Sequence, residues 1–548
     1  MQPMRAPAAA VLMILCIGCS SAAKKPEAVP SYEARLDALL AKRPDDPDLL
    51  FLRQDHKDLR RVAKLGSLRP TPVVLATVAS QYLAHGLDEE SIPAFRNLLQ
   101  TWIECDPNNS MPLVLRGLLE TSCGDLRRGL ETLVAASKLP SLRTYSLEGM
   151  QEGLRLQKQE GLADVEYFGV FVLRDFHLTM VMTRACGLLV TVSIEYLFRR
   201  NQAEALRFAE AEYRLAVSFS ASASTFLEAS NSFEAASYAA GRLCELYLME
   251  GKADLATRCA LQSHRSQVAQ EVLKLAIKRD LFESPIHKTM IEVGLMKESE
   301  GVSKGNTEKD VWDALSPLFG ASRATWDRFW AKLRENEVPV RAYLEAQIRR
   351  GQVAVAMEAI SDTDRRPIES RKFPIDRFME AKEIFYPVRY GPESRDQLIA
   401  YLKTGDQNED SETREFFQAG AARSLVHHGD KDALPMLRSL LDKPSSDWIL
   451  VTIVGLGDRS DRVVKILEES FGEYREGNSW ALAQLGRIRF VPDLLQDLVL
   501  NVRPGQVTHG FQEAVTAYFA LRDLTGQDFE LHRERWSDWA ERTGIKKE

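Results

Sequence analysis

The sequence predicts an all-α protein built from repeated pairs of helices. Apolar residues recur along most of the chain at the i, i+3, i+4 and i+7 spacing of an amphipathic helix, whereas the alternation typical of strands is rare. Glycine and proline, which interrupt helices, number only 31 and 23 among 548 residues. Because helical segments of this kind follow one another with short turns between them, we expect a helical-repeat solenoid.

The N-terminus has the features of an export signal. Arg5 supplies a positive charge, and residues 8–17 form an apolar run after it. A helix that spans a membrane needs about 20 apolar residues, so this run is too short to be a permanent span. A basic start, a short apolar run and small residues at its end are typical of a secretory signal. We therefore expect the chain to be exported.

Two cysteines end this signal in the order Cys16-Ile17-Gly18-Cys19. A redox dithiol at this spacing needs a folded strand and helix around it, and a zinc site needs a second pair of ligands nearby. The four residues resemble the lipobox of bacterial lipoproteins, although that pattern usually has leucine in place of Cys16. The resemblance implies cleavage after Gly18, a diacylglycerol thioether on Cys19 and, because Ser20 follows, sorting to the outer membrane. A soluble cleaved product and an uncleaved anchor are the alternatives.

The charge of the chain argues against a nucleic-acid partner. Its net charge is −7, and removal of residues 1–18 with Arg5 makes it −8. A chain with an isoelectric point near 5.9 lacks the basic surface by which proteins bind nucleic acid. Charges of both signs are interspersed, as on helix faces that are exposed to solvent.

Four segments in the first half share a pattern of aliphatic, small and aromatic residues. They contain Leu75, Val78, Ala79, Tyr82, Gly86, Ser91 and Phe95; Leu113, Gly117, Gly124, Gly129, Leu133 and Pro140; Leu189, Val192, Ser193, Tyr196, Ala205 and Ala209; and Ala240, Leu243, Cys244, Tyr247, Gly251, Ala256 and Ala260. This pattern resembles the tetratricopeptide repeat. The resemblance implies helix pairs in which small residues let the two helices approach closely and the aromatic residue fills the gap between neighbours.

These copies depart from the family in sequence and in spacing. Arg116 and Glu120 stand where the second copy should have leucine and tyrosine. Tyr82 and Glu120 are 38 residues apart and Tyr196 and Tyr247 are 51 apart, whereas the family repeats about every 34 residues. We therefore expect degenerate helix pairs, with an atypical helical pair at about residues 145–185, and not a regular superhelix.

The most apolar internal stretch is residues 178–198, which is long enough to cross a bilayer. It contains Arg184 and Glu195, and a charge near the centre of a bilayer costs several kcal/mol. The sequence therefore predicts a helix that is buried inside the protein.

The last part of the chain carries a more regular pattern. Residues 414–442 contain an apolar segment, a Gly429-Asp430 turn and a second apolar segment, with inward-facing positions predicted at Ala421, Ala422, Leu425, Ala433, Leu434, Pro435, Leu437 and Leu440. Two further copies turn at Gly457-Asp458 and Gly486-Arg487, so the turn glycines are 28 and 29 residues apart. The pattern resembles the short bacterial HEAT repeat of the phycobilin-lyase type. The resemblance implies three helix pairs in an array.

The segment that follows resembles the end of many bacterial HEAT proteins. It contains Leu-Thr-Gly-Gln-Asp-Phe at residues 524–529 and then the pair Trp536 and Trp539. The resemblance implies a terminal unit that covers the last open apolar face of the array, as repeat proteins require.

The mature chain keeps five cysteines besides Cys19, which are Cys105, Cys123, Cys186, Cys244 and Cys259. They stand in apolar helical surroundings at irregular spacing, and free cysteine behaves as a small buried apolar residue. We expect free thiols, with a Cys105–Cys123 disulfide as the one exception to consider.

The usual catalytic motifs are missing from the sequence. It has no Gly-rich nucleotide loop, no nucleophile elbow and no His-Glu-x-x-His zinc motif. The pair His427-His428 is adjacent, and adjacent helical residues point about 100° apart, which suits one metal ion poorly. We expect both histidines to lie at the end of a helix near its turn, and we expect neither cofactor nor metal.

Six segments follow from these patterns: a signal peptide (1–18), a tether (19–32), tetratricopeptide-like pairs (33–281), a linker (282–310), a helical connecting region (311–402) and a HEAT array with its cap (403–548). The sequence predicts a membrane-anchored, non-catalytic scaffold that binds other proteins of the bacterial envelope through its helical surfaces. The alternatives are a structural component that links the membrane to the cell wall and an enzyme with a site assembled in the helical groove.

Overall fold

The computed structural model confirms the predicted all-α class. It describes residues 32–53, 59–162, 165–295, 322–358, 360–361, 365–366, 368, 391–404, 421–422, 424–439, 441, 447–470, 475–501, 505 and 511–545. These residues form 24 α-helices and no β-strand. Cys19, the predicted signal peptide and all of the tether except Tyr32 lie outside the described residues.

The helices divide into two halves. Those of the first half are α1 (Tyr32–Lys42), α2 (Pro47–Arg53), α3 (Leu59–Leu68), α4 (Pro72–His85), α5 (Ile92–Cys105), α6 (Met111–Ser122), α7 (Leu126–Ala136), α8 (Ser146–Gln159), α9 (Val165–Phe198), α10 (Gln202–Ser222), α11 (Phe226–Met249), α12 (Ala253–Glu283) and α13 (Pro285–Glu292). Those of the second half are α14 (Arg323–Glu335), α15 (Glu337–Arg350), α16 (Gln352–Glu358), α17 (Pro392–Thr404), α18 (Leu434–Ser439), α19 (Asp447–Gly455), α20 (Asp461–Ser470), α21 (Arg475–Gln484), α22 (Val491–Asn501), α23 (Gln512–Thr525) and α24 (Arg533–Thr543).

The four predicted helix pairs of the first half are present as α4–α5, α6–α7, α9–α10 and α11–α12, and the two helices of each pair pack together. The aromatic residues pack between helices as predicted. Tyr82 of α4 contacts Phe95 of α5 with ring centroids 5.5 Å apart. Tyr196 of α9 stacks on Phe208 of α10 at 5.7 Å. The pairs therefore have the predicted local structure, and their stacking into a solenoid stays a prediction.

The first helix of every pair is followed within two residues by a residue with a positive φ angle. This residue stands four positions after the tyrosine of the repeat pattern, or after Glu120 in the second pair, and its backbone is left-handed. These residues are Gly86, Gly124, Arg200 and Gly251, with φ angles of 86°, 100°, 58° and 70°. Glycine adopts positive φ without steric cost, whereas another L-residue loses about 1–2 kcal/mol there. Arg200 is thus the exception among four equivalent helix ends.

Two glycines bring α6 and α7 into close contact. A Cβ atom on Gly117 would lie 2.9 Å from the carbonyl oxygen of Gly129, and one on Gly129 would lie 2.6 Å from that of Gly117. Contacts between α6 and α7 also explain why Glu120 can replace the tyrosine of the repeat pattern. The buried Glu120 carboxylate accepts a hydrogen bond from Thr132 Oγ1 at 2.7 Å and pairs with Arg128 Nε at 2.9 Å. A charged network therefore replaces the aromatic residue of the other copies.

Helix α9 contains the most apolar internal stretch of the chain, residues 178–198. Among the described residues, His177–Phe198 is the one helical segment long and apolar enough to cross a membrane by length and composition. The structure buries 67% of its most apolar window inside the protein. Buried aliphatic side chains on this helix include Val181, Leu189 and Val192. The stretch therefore packs as a central helix, as predicted.

The predicted linker at residues 282–310 is partly helical. Helix α12 continues to Glu283, and α13 spans Pro285–Glu292. Ser284 starts α13 because its Oγ accepts a hydrogen bond from the His287 amide at 3.1 Å, and Pro285 has the backbone geometry of a first helical residue. Residues 296–310 lie outside the described part of the chain. The capping residue Ser284 and Pro285 were visible in the sequence. Their preference for a helix start outweighs the polar composition of the segment, which had favoured a loop.

The turns predicted for the C-terminal array are confirmed. Gly429, Gly457 and Gly486 have φ angles of 64°, 93° and 66°, and each follows a helical segment. Most of the predicted inward-facing residues are buried, namely Ala421, Ala422, Leu425, Ala433 and Leu437. Leu434 is half-buried, Leu440 lies outside the described residues, and Pro435 is exposed. The prediction for Pro435 was wrong because it occupies the second residue of α18, on the outer side of its first turn.

The tryptophan pair closes the C-terminal end. The Trp536 side chain is completely buried, and its indole N–H donates to the Glu530 carbonyl oxygen at 2.9 Å. Its ring meets the rings of Phe529 and Trp539 edge to face, at 5.0 and 6.0 Å. One continuous cluster of buried apolar side chains extends from Tyr32 to Trp536 and includes residues of both halves. The two halves therefore share a hydrophobic core.

Candidate functional site at the junction of the two halves

The C-terminal end of α9 forms the centre of the junction between the halves. The Phe198 ring stacks on Trp480 of α21 with centroids 4.9 Å apart. The Tyr196 ring contacts the edge of Phe519 of α23 at 5.3 Å. Aromatic pairs of this kind contribute about 0.5–1.5 kcal/mol beyond the burial of their surface. Helix α9 is therefore packed against the C-terminal array at two places.

A buried ion network crosses the same junction. Arg199, which directly follows α9, pairs with Glu195 of that helix at 2.6 Å and with Asp523 of α23 at 2.7 Å. Its guanidinium also lies 4.8 Å from the centre of the Phe519 ring. Burial raises the pKa of Glu195 to about 7, and the Arg199 charge opposes that shift. Arg199 and Glu195 form the buried part of this network, and Asp523, whose side chain is 21% exposed, connects it to the second half.

A second contact joins the turn between α6 and α7 to the cap. The Leu531 amide donates to the Gly124 carbonyl oxygen at 3.1 Å, and Arg127 pairs with Asp528. His532 Nε2 lies 3.2 Å from Asp125 Oδ1. A Cβ atom on Gly124 would lie only 2.5 Å from the His532 ring, so glycine is required there. The Leu-Thr-Gly-Gln-Asp-Phe loop thus packs against the first half as well as the array.

A cavity of about 260 Å³ lies between these two halves. Its apolar wall comes from α9, α11 and the array, and comprises Leu197, Phe198, Met249, Ala422, Val426 and Val451. The polar side chains of the lining are Arg200, Gln202, His427 and Thr452. None of the residues described in the lining carries a carboxylate, so Arg200 supplies its one permanent charge.

Arg200 and the residues near it set the polarity of the cavity. Arg200 is exposed and holds the left-handed backbone described above. The Gln202 amide nitrogen lies 3.3 Å from His427 Nδ1. Burial lowers the pKa of His427, so its imidazole is neutral near pH 7. The arrangement offers one cation and neutral hydrogen-bonding groups beside an apolar wall.

The adjacent histidines His427 and His428 lie at a helix end, and His427 also lines the cavity. Their position at the helix end is as predicted. The rings of His427 and His428 meet edge to face with centroids 5.0 Å apart. In the part of the chain that the structure describes, no three His, Cys, Asp or Glu side chains are grouped to hold a metal ion.

The five described cysteines are free thiols. Cys105 is exposed, with its Sγ donating to the Pro70 carbonyl oxygen at 3.3 Å, whereas Cys123 Sγ lies 3.6 Å from a guanidinium nitrogen of Arg96. A Cys105–Cys123 disulfide, which the sequence left open, is therefore not formed, because the two thiols have separate partners. Cys186, Cys244 and Cys259 are buried.

The outer side of the α11–α12 pair carries exposed apolar side chains. Tyr238 on α11 is 59% exposed, and Leu255 and Leu261 on α12 are 38% and 52% exposed. They are three of the seven large apolar side chains that are exposed in the described part of the chain. Arg258 and Arg265 are exposed on α12, the helix that carries the two leucines. This surface combines apolar and cationic groups.

The turns and helices around the junction were predicted from the sequence, whereas the roles of Arg200, Arg199 and Asp523 were not. A signal for Arg200 was present, because aligning the four helix pairs on their tyrosines, with Glu120 in the second pair, puts Arg200 at a glycine position. Arg199 and Asp523 had no such signal, since their contact joins distant parts of the chain.

No known protein family, no curated protein and no solved structure matches the chain.

Proposed function

We propose that the protein is a lipid-anchored, non-catalytic scaffold that binds other proteins in the bacterial envelope. In this proposal Cys19 carries the lipid, and the helical body lies at the periplasmic face of the outer membrane. Other envelope proteins bind to the surfaces of the helix pairs. The lipobox-like residues support the anchor, and the helix pairs support the binding role.

The observation that carries the binding role is the exposed surface of α11–α12. Large apolar side chains that stay in contact with water are costly, and a group of them commonly marks a binding surface. Tyr238 suits this role because tyrosine is enriched among the residues that dominate binding energy at interfaces. The neighbouring Arg258 and Arg265 favour a partner that presents carboxylates around an apolar centre.

The surface is tested by replacing its apolar side chains with glutamine, which is well tolerated in helices. We expect Tyr238→Gln with Leu261→Gln to lose a partner that is cross-linked to the native protein in gently solubilised membranes. Val338→Gln is the matched control, because Val338 is 81% exposed on α15 and does not belong to this surface. A partner that is lost equally from all variants, or from none, contradicts the role of this surface.

The anchor is tested separately with Cys19→Ala. We expect mass spectrometry of the native protein to find diacylglycerol on Cys19 at the start of the mature chain. The variant is expected to remain uncleaved and unlipidated, because both steps depend on the Cys19 thiol. Native protein that lacks lipid, or a variant that is processed normally, contradicts the anchor.

A further inference from the structure

We infer that the cavity between the two halves binds a small amphiphile with an anionic head, and that Arg200 holds the head. This site is independent of the proposed scaffold surface on α11–α12. It is formed jointly by the end of α9, the start of α10, the end of α11 and the C-terminal array.

The backbone of Arg200 is the first observation that supports a ligand. The equivalent positions in the other three helix pairs are Gly86, Gly124 and Gly251. Arg200 borders the cavity, although glycine would fit its backbone without strain. Strained residues of this kind concentrate at functional sites, so the side chain is retained for what it contacts.

The charge of Arg200 is the second observation. Arg199, the residue before it, and Arg207 and Arg214 on α10 all pair with carboxylates. Arg200 forms no ion pair with any residue that the structure describes. A guanidinium beside an apolar wall therefore has its charge available for a carboxylate or a phosphate.

The lining and volume define the rest of the ligand. Six apolar side chains from both halves form the wall, and the amide of Gln202 and the ring of His427 stand beside Arg200. At about 260 Å³ the cavity is slightly smaller than most ligand sites, which are usually about 300–1,000 Å³. It therefore suits a short acyl chain or a single ring and excludes a whole phospholipid.

The site is tested by calorimetric titration of the full chain in lipid nanodiscs, with empty nanodiscs as the blank. Octanoate and octyl phosphate are the two anionic probes, and octanol is the same chain without a charge. We expect saturable binding of at least one anionic probe, at least tenfold tighter than that of octanol. The better anionic probe identifies the head as carboxylate or phosphate.

Two variants distinguish this site from nonspecific binding. Arg200→Gly is expected to weaken binding of the anionic probe at least tenfold and to raise the thermal stability of the protein, which a loss of folding would not do. Arg535→Gln, at an exposed arginine of α24 away from the cavity, is expected to bind like the unmodified protein. The inference is overturned if neither anionic probe binds, if octanol binds equally well, or if Arg200→Gly retains full affinity.

Discussion

Single residues in this protein reveal their roles where they depart from a pattern repeated elsewhere in the chain. Arg200 holds a left-handed backbone at a position where the other three pairs have glycine. We expect Arg200→Gly to raise the free energy of unfolding by about 1 kcal/mol, because glycine removes the steric strain. Urea unfolding followed by circular dichroism measures this change. The reciprocal Gly251→Arg is expected to lower stability by a similar amount, and an unchanged or higher stability for that variant would show that the turn is not strained.

Glu212 makes stability depend on pH. It is buried on α10, where Arg242 of α11 lies 3.8 Å away and the Cys186 thiol of α9 is also near. Burial raises the pKa of Glu212 from 4.5 to about 7, with Arg242 opposing the shift. The folded state therefore binds more protons between these values, so the contribution of Glu212 to stability is greatest below about pH 4.5 and is lost as pH rises through about 7.

We expect Glu212→Gln to remove this part of the pH dependence. The free energy of unfolding of the variant should match that of the unmodified protein at about pH 5. At about pH 8, where the native carboxyl is ionised, the variant should be more stable by about 1–3 kcal/mol. Denaturant titrations at several pH values measure the difference. Asp254→Asn, at an exposed carboxylate of α12, is the control and should follow the unmodified protein. Parallel pH profiles for Glu212→Gln and the unmodified protein would contradict the raised pKa.

At the scale of helices, close packing depends on small residues that the sequence already identified. We expect Gly129→Ala to lower stability by about 1–3 kcal/mol, because the new methyl group would overlap α6. Gly241→Ala is the matched control within α11, where the nearest atom, Ser263 Oγ, is 3.9 Å from the added Cβ. It should raise stability by about 0.5–1 kcal/mol through higher helix propensity. Equal effects at the two sites, measured by urea unfolding, would rule out close packing at Gly129.

Helices and turns could be predicted because their signals are local. Apolar periodicity predicted the helix pairs, and glycine at a regular spacing predicted the turns at Gly429, Gly457 and Gly486. The α13 helix was missed because a polar composition was given more weight than the capping residue Ser284. Pro435 was misplaced because a repeat pattern fixes the face of a residue only approximately in a short helix.

At the scale of the whole molecule, the arrangement of the halves could not be predicted. Contacts such as Arg199 with Asp523 and Arg127 with Asp528 join residues far apart in the chain, so they leave no periodic trace. The cavity depends on the same arrangement, because residues of both halves line it. The sequence therefore predicted the components of the candidate site and not their assembly.

The cavity and the scaffold both depend on the claim that the two halves form one body with a shared core. Differential scanning calorimetry of the full chain and of Arg199→Met tests this claim most directly. We expect one cooperative transition for the unmodified protein, because the core and the buried ion network unite the halves. Arg199→Met should separate it into two transitions, since it leaves Glu195 and Asp523 without their shared cation. Two transitions in the unmodified protein, or an unchanged curve for the variant, would contradict the claim.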